Sequence, residues 1–496
     1  MNQSATLNRA ARPLVAEGDI GRVSAIAFLG LVAYLVLALI RFQEYTWVNF
    51  DAPIIPVIEV TMMLAWFASA KPPGLVHALP VFLLGGVYFI SGLGVNADYS
   101  VEVTSNYFLN IAFVYVVLAQ VAVDPRRADL VMAVFGTCMA VISLQCILMA
   151  LHPEHMGWTG LQAIERTDSI PRVWQVRYIG TLKDPNDLGM TMLAALPMLA
   201  FLASTSRSRL LQLYFVGCLG ACLYTIYLLN SRGTVVGLVA MVGLIGVLRL
   251  GIAKAVLLGG LLLPVAIILA PARIADTSFD QSALDRIFSW YNGMKMFTGS
   301  PLFGVGKDQY LTYYYKVSHN SWIEVVAELG MVGYLLWNRI VLGALVEVYQ
   351  LIRADQTLEL KTKTESKLST RRARPRPGRA RQALPGSTLP AEIEAPDEPA
   401  TEEEVAAQPD ELLVIERRRS LALFYSLAGL MVAIFFIDRS DSLITFLVCA
   451  LIAGSLTRYK LQRNDVIWLP VAVWVYLGAF LALVLVYLLI QIFAFN

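Results

Sequence analysis

Apolar stretches of membrane-crossing length alternate with short polar breaks along almost the whole chain. A bilayer core takes about 20 apolar residues per helix. On that measure, spans fall near 22–40, 52–70, 75–95, 107–123, 129–150, 188–204, 209–229, 233–249, 254–271, 320–338, 420–437, 442–457 and 467–493. The pattern predicts an all-α polytopic membrane protein with about 12–13 transmembrane helices. The last stretch suits either one long tilted helix or a tight hairpin. The first is too long, and lacks the small-residue site, for a cleavable signal peptide.

The polar breaks carry their charge unevenly. Lys71, Asp124-Pro-Arg-Arg-Ala-Asp129, Arg207 with Arg209, Arg249 with Lys254, and Arg458-Tyr-Lys-Leu-Gln-Arg463 all fall on one side if the N-terminus is cytoplasmic. The opposite breaks are 41–51, 96–106, 151–187, 230–232, 272–319 and 438–441. This asymmetry fixes the expected orientation, since basic loops stay inside. The chain then divides into a transmembrane core, 1–352, with large outer loops 151–187 and 272–319; a cytoplasmic linker, 353–419; and C-terminal transmembrane helices, 420–496. The linker has ten Lys/Arg against three acids up to Arg381, then turns acidic from Glu392, and Pro375, Pro377, Pro385, Pro390, Pro396 and Pro399 interrupt it. It lacks the apolar residues that offset ordering entropy, so it is expected to be disordered. Its basic half suits the anionic inner leaflet, or it acts as a solvated spacer that helps fix topology.

Composition narrows the class. The chain has 496 residues, 57% of them hydrophobic and only 15% charged, where a soluble domain carries roughly 25% charged residues. Its mean hydropathy of +0.62 and its length exceed what one water-soluble core accommodates. There is no basic stretch interleaved with aromatics, which argues against a nucleic-acid partner. Cys138, Cys146, Cys218, Cys222 and Cys449 all lie in apolar runs and read as core residues. With four histidines and no HExxH or CxxC, no protein-built metal site is expected.

The candidate chemistry sits in the outer breaks, because ionisable groups near spans are costly unless used. Arg177 and Lys183 precede Asp184-Pro185-Asn186-Asp187, a helix start in which Asp or Asn can cap free N–H groups. A helix N-terminus facing a polar cavity favours anions; an ordinary cap at headgroup level is the plainer reading. Asn230-Ser-Arg232-Gly-Thr is a very tight outward turn whose Arg suits phosphate or snorkels to lipid headgroups. In the largest outer loop, apolar residues at 287, 290, 294 and 297 predict a short amphipathic helix with Arg286 at its start. Ser300-Pro-Leu-Phe-Gly304-Val-Gly306 follows as a turn-rich stretch. The loop closes with His319-Asn320-Ser-Trp-Ile-Glu324 and runs through Glu328-Leu-Gly330. His319 lies at the mouth of a span among polar groups and titrates in the range suited to taking a hydroxyl proton; a histidine bonded to backbone is the alternative. Glu324 and Glu328 lie below it, placed to bond neighbouring helices or to pair with Arg232.

As an ordered set, residues 175–189, 230–233, 286–306 and 319–330 resemble the signature blocks of the O-antigen ligase/polymerase superfamily of membrane proteins. The close resemblance covers roughly 175–345. It implies a GT-C-like architecture in the bacterial inner membrane and a metal-independent inverting glycosyltransferase without cofactor. Such an enzyme takes glycan linked to undecaprenyl diphosphate at the periplasmic face and moves it to an acceptor sugar hydroxyl. By this resemblance His319 acts on the acceptor hydroxyl, while Arg232, Arg286, Arg177 and Lys183 bind the diphosphate. Asp184, Asn186, Asn320, Glu324 and Glu328 support them. The first reading is a repeat-unit polymerase for exopolysaccharide or O-antigen; a ligase onto lipid A-core or a protein acceptor is the second. The 353–419 insertion and the thirteenth span depart from the pattern, leave the acceptor class open, and point to a cytoplasmic partner. A secondary transporter would show repeats and midplane ionisable groups, whereas the polarity here clusters at one face. A non-catalytic scaffold docking through 353–419 is the remaining alternative.

Overall fold

The computed structural model describes residues 23–48, 53–69, 77–166, 173–268, 281–373, 402–462 and 471–494. Among them, nine helices are long and apolar enough to cross a membrane and four more are apolar but shorter. The expected all-α membrane architecture is therefore present. The helices are α1 (Ala25–Ile40), α2 (Ile54–Phe67), α3 (Leu79–Leu93), α4 (Ala97–Tyr107), α5 (Phe113–Val121), α6 (Pro125–Leu151), α7 (Pro185–Thr205), α8 (Arg209–Leu228), α9 (Arg232–Leu250) and α10 (Ile252–Ile268). They continue with α11 (Gln281–Gly299), α12 (Tyr310–Tyr313), α13 (Ser321–Ala373), α14 (Glu402–Ala433), α15 (Leu443–Gln462) and α16 (Val471–Ala494). A two-stranded antiparallel hairpin, β1 (Ile164–Arg166) and β2 (Val173–Gln175), pairs Glu165 with Trp174 in the 151–187 loop.

Several expectations change in detail. Residues 96–106, read as a loop, are helical: Asn96 caps α4 by accepting from Tyr99 N. The helix then runs through a π-helical segment, Phe108–Ala112, into α5. The C-terminal stretch is one helix rather than a hairpin. The stretch 353–419, expected to be disordered, is helical at both ends, because α13 continues to Ala373 and α14 begins at Glu402. Runs of Leu, Glu, Lys and Ala there favour helix once a packed span has nucleated it. Residues 374–401, with all six linker prolines noted above, lie outside the described residues.

Burial separates core helices from lipid-facing ones. Helix α7 is buried on nearly all sides and packs against α14, α8 and α6, and α15 is buried almost throughout. Helices α8 and α9 instead expose Leu210, Leu213, Val216, Val239 and Val242, an apolar surface that only lipid satisfies.

Two sets of polar contacts lie at opposite ends. At one, Arg419 makes a bidentate pair with Asp129, Arg458 pairs with Glu416 and donates to the Ala122 and Val123 carbonyls, and Arg127 donates to the Val23 carbonyl. At the other, the breaks assigned above to the outer side are tied together. Trp47 Nε1 donates to the Trp158 carbonyl and Tyr178 OH to the Ile40 carbonyl. Gln175 Nε2 donates to the Leu229 and Asn230 carbonyls, and Tyr99 OH to the Lys307 carbonyl.

Candidate active site

The polar end is built first around the start of α7. Pro185 occupies the first helical turn, where its missing N–H costs nothing, and Asp184 caps by accepting from Asn186 N at 2.7 Å. Asn186 Oδ1 in turn accepts from Ser231 Oγ at 2.6 Å, and Ser231 caps α9. The tight Asn230-Ser231-Arg232 turn is thus clamped to the start of α7, with Asn230 in the left-handed conformation. A Cβ at Gly189 would collide with Thr234, so the two helices approach there through a glycine.

The second component is a break in α13. Gly330 has φ 65° and ψ −167°, which interrupts the helix about three turns below His319. Residues 301–306 lie along the gap. Val305 N donates to the Ala327 carbonyl, Gly306 N to the Glu328 carbonyl, Met331 N to the Pro301 carbonyl, and Val332 N to the Leu302 carbonyl. A Cβ on Gly304 would collide with the Glu328 carbonyl and one on Gly330 with Leu302. This explains why the Pro-Leu-Phe-Gly-Val-Gly and Glu-Leu-Gly segments occur together: each supplies backbone partners that the other lacks.

The insertion carries Lys307 into the interior. Lys307 is 2% exposed, with Nζ 3.1 Å from Glu324 Oε1, 3.1 Å from Glu328 Oε2 and 2.6 Å from Asp308 Oδ1. Burial opposes its charge, but Asp441, Glu328, Glu324 and Asp308 outweigh it and hold the ammonium well above its ordinary range. Glu324 Oε2 also accepts from Ser440 N, and Glu328 Oε1 from Tyr310 N. The two glutamates therefore bind Lys307 rather than serving His319 or pairing with Arg232.

His319 ends the loop in a left-handed conformation, φ 49°. Trp290 of α11 donates to the Ser318 carbonyl on one side of it. On the other, Asn320 caps α13 by accepting from Trp322 N and Ile323 N. His319 Nδ1 is 4.0 Å from Asp438 Oδ1. Burial, then the positive charges of Arg286 and Lys316, depress the His319 pKa, while Asp184 opposes them. At neutral pH the imidazole is thus uncharged and able to accept a proton. Asp438, by contrast, is pushed up to about 6 by burial. Its neighbour Arg439 places Nε and Nη2 at 2.9 and 2.5 Å from Asp187 Oδ2. Asp187 itself is 2% exposed, and its Oδ1 has no hydrogen-bond partner.

Two cavities open here. The larger, about 630 Å³, is lined by Asp187, Asp308, Glu324, Glu328, Asp438 and Asp441 together with Arg41, Lys307 and Arg439; its other wall is apolar, with Leu39, Ile55, Val103 and Ile111. The smaller, about 400 Å³, includes His319, Asp285, Ser289, Tyr315 and Lys316. Leu311 and Val317 line both.

The expected residues fall into three groups. His319 and Arg286 come together, with Asp184 within electrostatic reach. Asn186 and Asp184 form one hydrogen-bonded corner with Ser231, the residue that precedes Arg232. Arg177 and Lys183 line neither cavity, and Arg177 Nε donates instead to the Gln162 carbonyl. The sequence reading missed Lys307, Asp187, Asp438, Arg439 and Arg41. The signal for the middle pair was present: Asp438-Arg-Ser-Asp441 is the entire connection between two spans, as polar and as short as the Arg232 turn. Among the described residues, no cluster of three or more His, Cys, Asp or Glu is placed to hold a metal ion.

A multi-pass membrane protein with a polar, two-cavity site at one end of its bundle is the class these features define. Residues 191–338 match the family model described as O-antigen ligase. That segment, from α7 to the middle of the spanning part of α13, carries the similarity and contains Arg232, Arg286, Lys307 and His319. The match supports a glycosyltransferase-like function of the O-antigen ligase/polymerase kind and agrees with the resemblance read from the sequence. No curated protein matches the chain.

Proposed function

We propose that the chain transfers a glycan from undecaprenyl diphosphate to an acceptor sugar hydroxyl at the periplasmic face of the inner membrane, as a repeat-unit polymerase. The observation that carries this reading is the position of His319, uncharged at neutral pH, beside Arg286 and on the lip of the smaller cavity. The acceptor oxygen attacks the anomeric carbon from the face opposite the carrier, and its proton passes to the His319 imidazole. The anomeric C–O bond breaks, with its electron pair leaving on the diphosphate. Arg286 and Arg232 balance that charge, a role for which preorganised guanidinium groups in a water-poor site are suited. Asp438 faces the imidazolium that forms, and Asn320 and the Ser231–Asn186 clamp hold the two sides in place.

The test is complementation in the native host with His319→Ala, Arg286→Ala and Arg232→Ala at equal protein levels, reading lipid-linked repeat units and finished polymer together. A polymerase loses polymer while single lipid-linked repeats accumulate. A ligase accumulates lipid-linked polymer instead. Unchanged polymer in all three variants overturns the reading.

A further inference from the structure

The larger cavity has the wrong sign for a diphosphate. Six carboxylates line it against three cations, and one of those, Arg41, is already paired with Glu44. A second, Arg439, is spent on Asp187. Lys307 is shared among four acids. Arg286 and Arg232, the cations that suit a diphosphate, line neither cavity. The cavity also offers acceptors: Asp187 Oδ1 is buried without a partner, and Asp308 and Asp441 are 63% and 39% exposed at the side chain. Tyr34, Tyr88, Tyr107 and Tyr310 add aromatic surface, with Asn106 just before the π-helical segment and Asn110 within it. A volume of about 630 Å³ is of the size that encloses small-molecule ligands.

We propose that this cavity is a saccharide site selective for neutral or amino-bearing sugar units, and that its carboxylates exclude uronic acids and other anionic sugars. Sugar hydroxyls donate to Asp187, Asp308 and Asp441, and an amino group would gain a charged acceptor there. A sugar carboxylate would add its charge to a lining in which acids outnumber cations six to three and every cation is already paired, where like charges repel. The inference rests on the glycan-transfer reading for why a saccharide should enter, but binding is measurable without transfer.

The experiment uses the full chain in lipid nanodiscs. Neutral disaccharides of gluco, galacto and manno configuration are each paired with the same compound oxidised to the 6-carboxylate, and dissociation constants are read by saturation-transfer NMR. The expected result is that at least one neutral member binds and that its carboxylate partner binds at least tenfold more weakly. In the Asp308→Asn/Asp441→Asn variant, whose two side chains are exposed enough to leave packing intact, the ratio falls to about threefold or less. Equal binding of both members, binding of neither in all three configurations, or an unchanged ratio in the variant would each overturn the proposal. Selective binding by a protein that fails complementation would remove the transferase reading and leave this site standing.

Discussion

Replacing Lys307 with Met isolates the central ion network. The substitution keeps an unbranched apolar stem and removes one charge. Of the four acids around Nζ, Asp308 is largely exposed and its pairing contributes little. Glu324 and Glu328 have side chains 10% and 3% exposed, each 3.1 Å from Nζ. Breaking a buried pair from one side costs about 3–5 kcal/mol, because the partner stays buried and uncompensated. That corresponds to roughly a hundredfold to a few thousandfold loss in the folded-to-unfolded ratio. The triple variant Lys307→Met/Glu324→Gln/Glu328→Gln should recover more than half of the loss. Glutamine keeps the carbonyl that accepts from Ser440 N and Tyr310 N while removing the two negative charges. The assay is denaturant unfolding in mixed micelles followed by tryptophan fluorescence. A single variant within about 1 kcal/mol of wild type, or a triple variant no better than the single one, would refute the argument that charge compensation holds this region together.

Transfer needs neutral His319, so kcat/KM should fall as pH drops through its depressed pKa, below the ordinary 6.5. Arg286→Gln removes a charge that disfavours the imidazolium and should move this acidic limb to higher pH; Asp184→Asn should move it lower, and pH–rate profiles in proteoliposomes check both signs. Gly330→Ala places a Cβ against Leu302 at a φ that side chains avoid, and should cost about 3 kcal/mol or more through strain and lost backbone pairing; hydrogen exchange should show residues 301–306 and 327–332 deprotected together. Asn186→Ala removes the acceptor for Ser231 Oγ and should cost about 1 kcal/mol in stability, with a larger loss of polymer in the complementation assay as the Arg232 turn loosens.

Local patterns were legible and long-range pairings were not. Apolar run length gave the spans, the 287–297 periodicity gave α11, and Asp184-Pro185-Asn186-Asp187 announced the cap that starts α7, because each depends on residues a few positions apart. Lys307 gave no such signal, since its meaning comes from Glu324 and Glu328 on a helix that the intervening loop folds back to meet. Asp187 and Arg439 are 252 residues apart in the chain, and no spacing rule joins them. The break at Gly330 was hidden because a glycine within an apolar span reads as tolerated rather than as an interruption, until the turn-rich 301–306 segment is seen beside it. Glu324 does bond a neighbouring connection, through Ser440 N, as one of the open alternatives had it, but Lys307 as the shared partner of both glutamates was out of reach for the same reason.

The break has a mechanical consequence. Helix α13 is 53 residues long, ~80 Å at 1.5 Å per residue, against a hydrocarbon core of ~30 Å. An unbroken rod of that length would act as a lever, carrying any tug or twist at its far end straight to the residue that caps its near end. Because the rod is interrupted at Gly330, and the 301–306 segment pairs with the backbone on both sides of the break, its two pieces are joined through a brace rather than through one continuous ladder of helix hydrogen bonds. A pull on the 353–373 extension therefore meets, before it reaches His319, the same 301–306 segment that carries Lys307 into the interior.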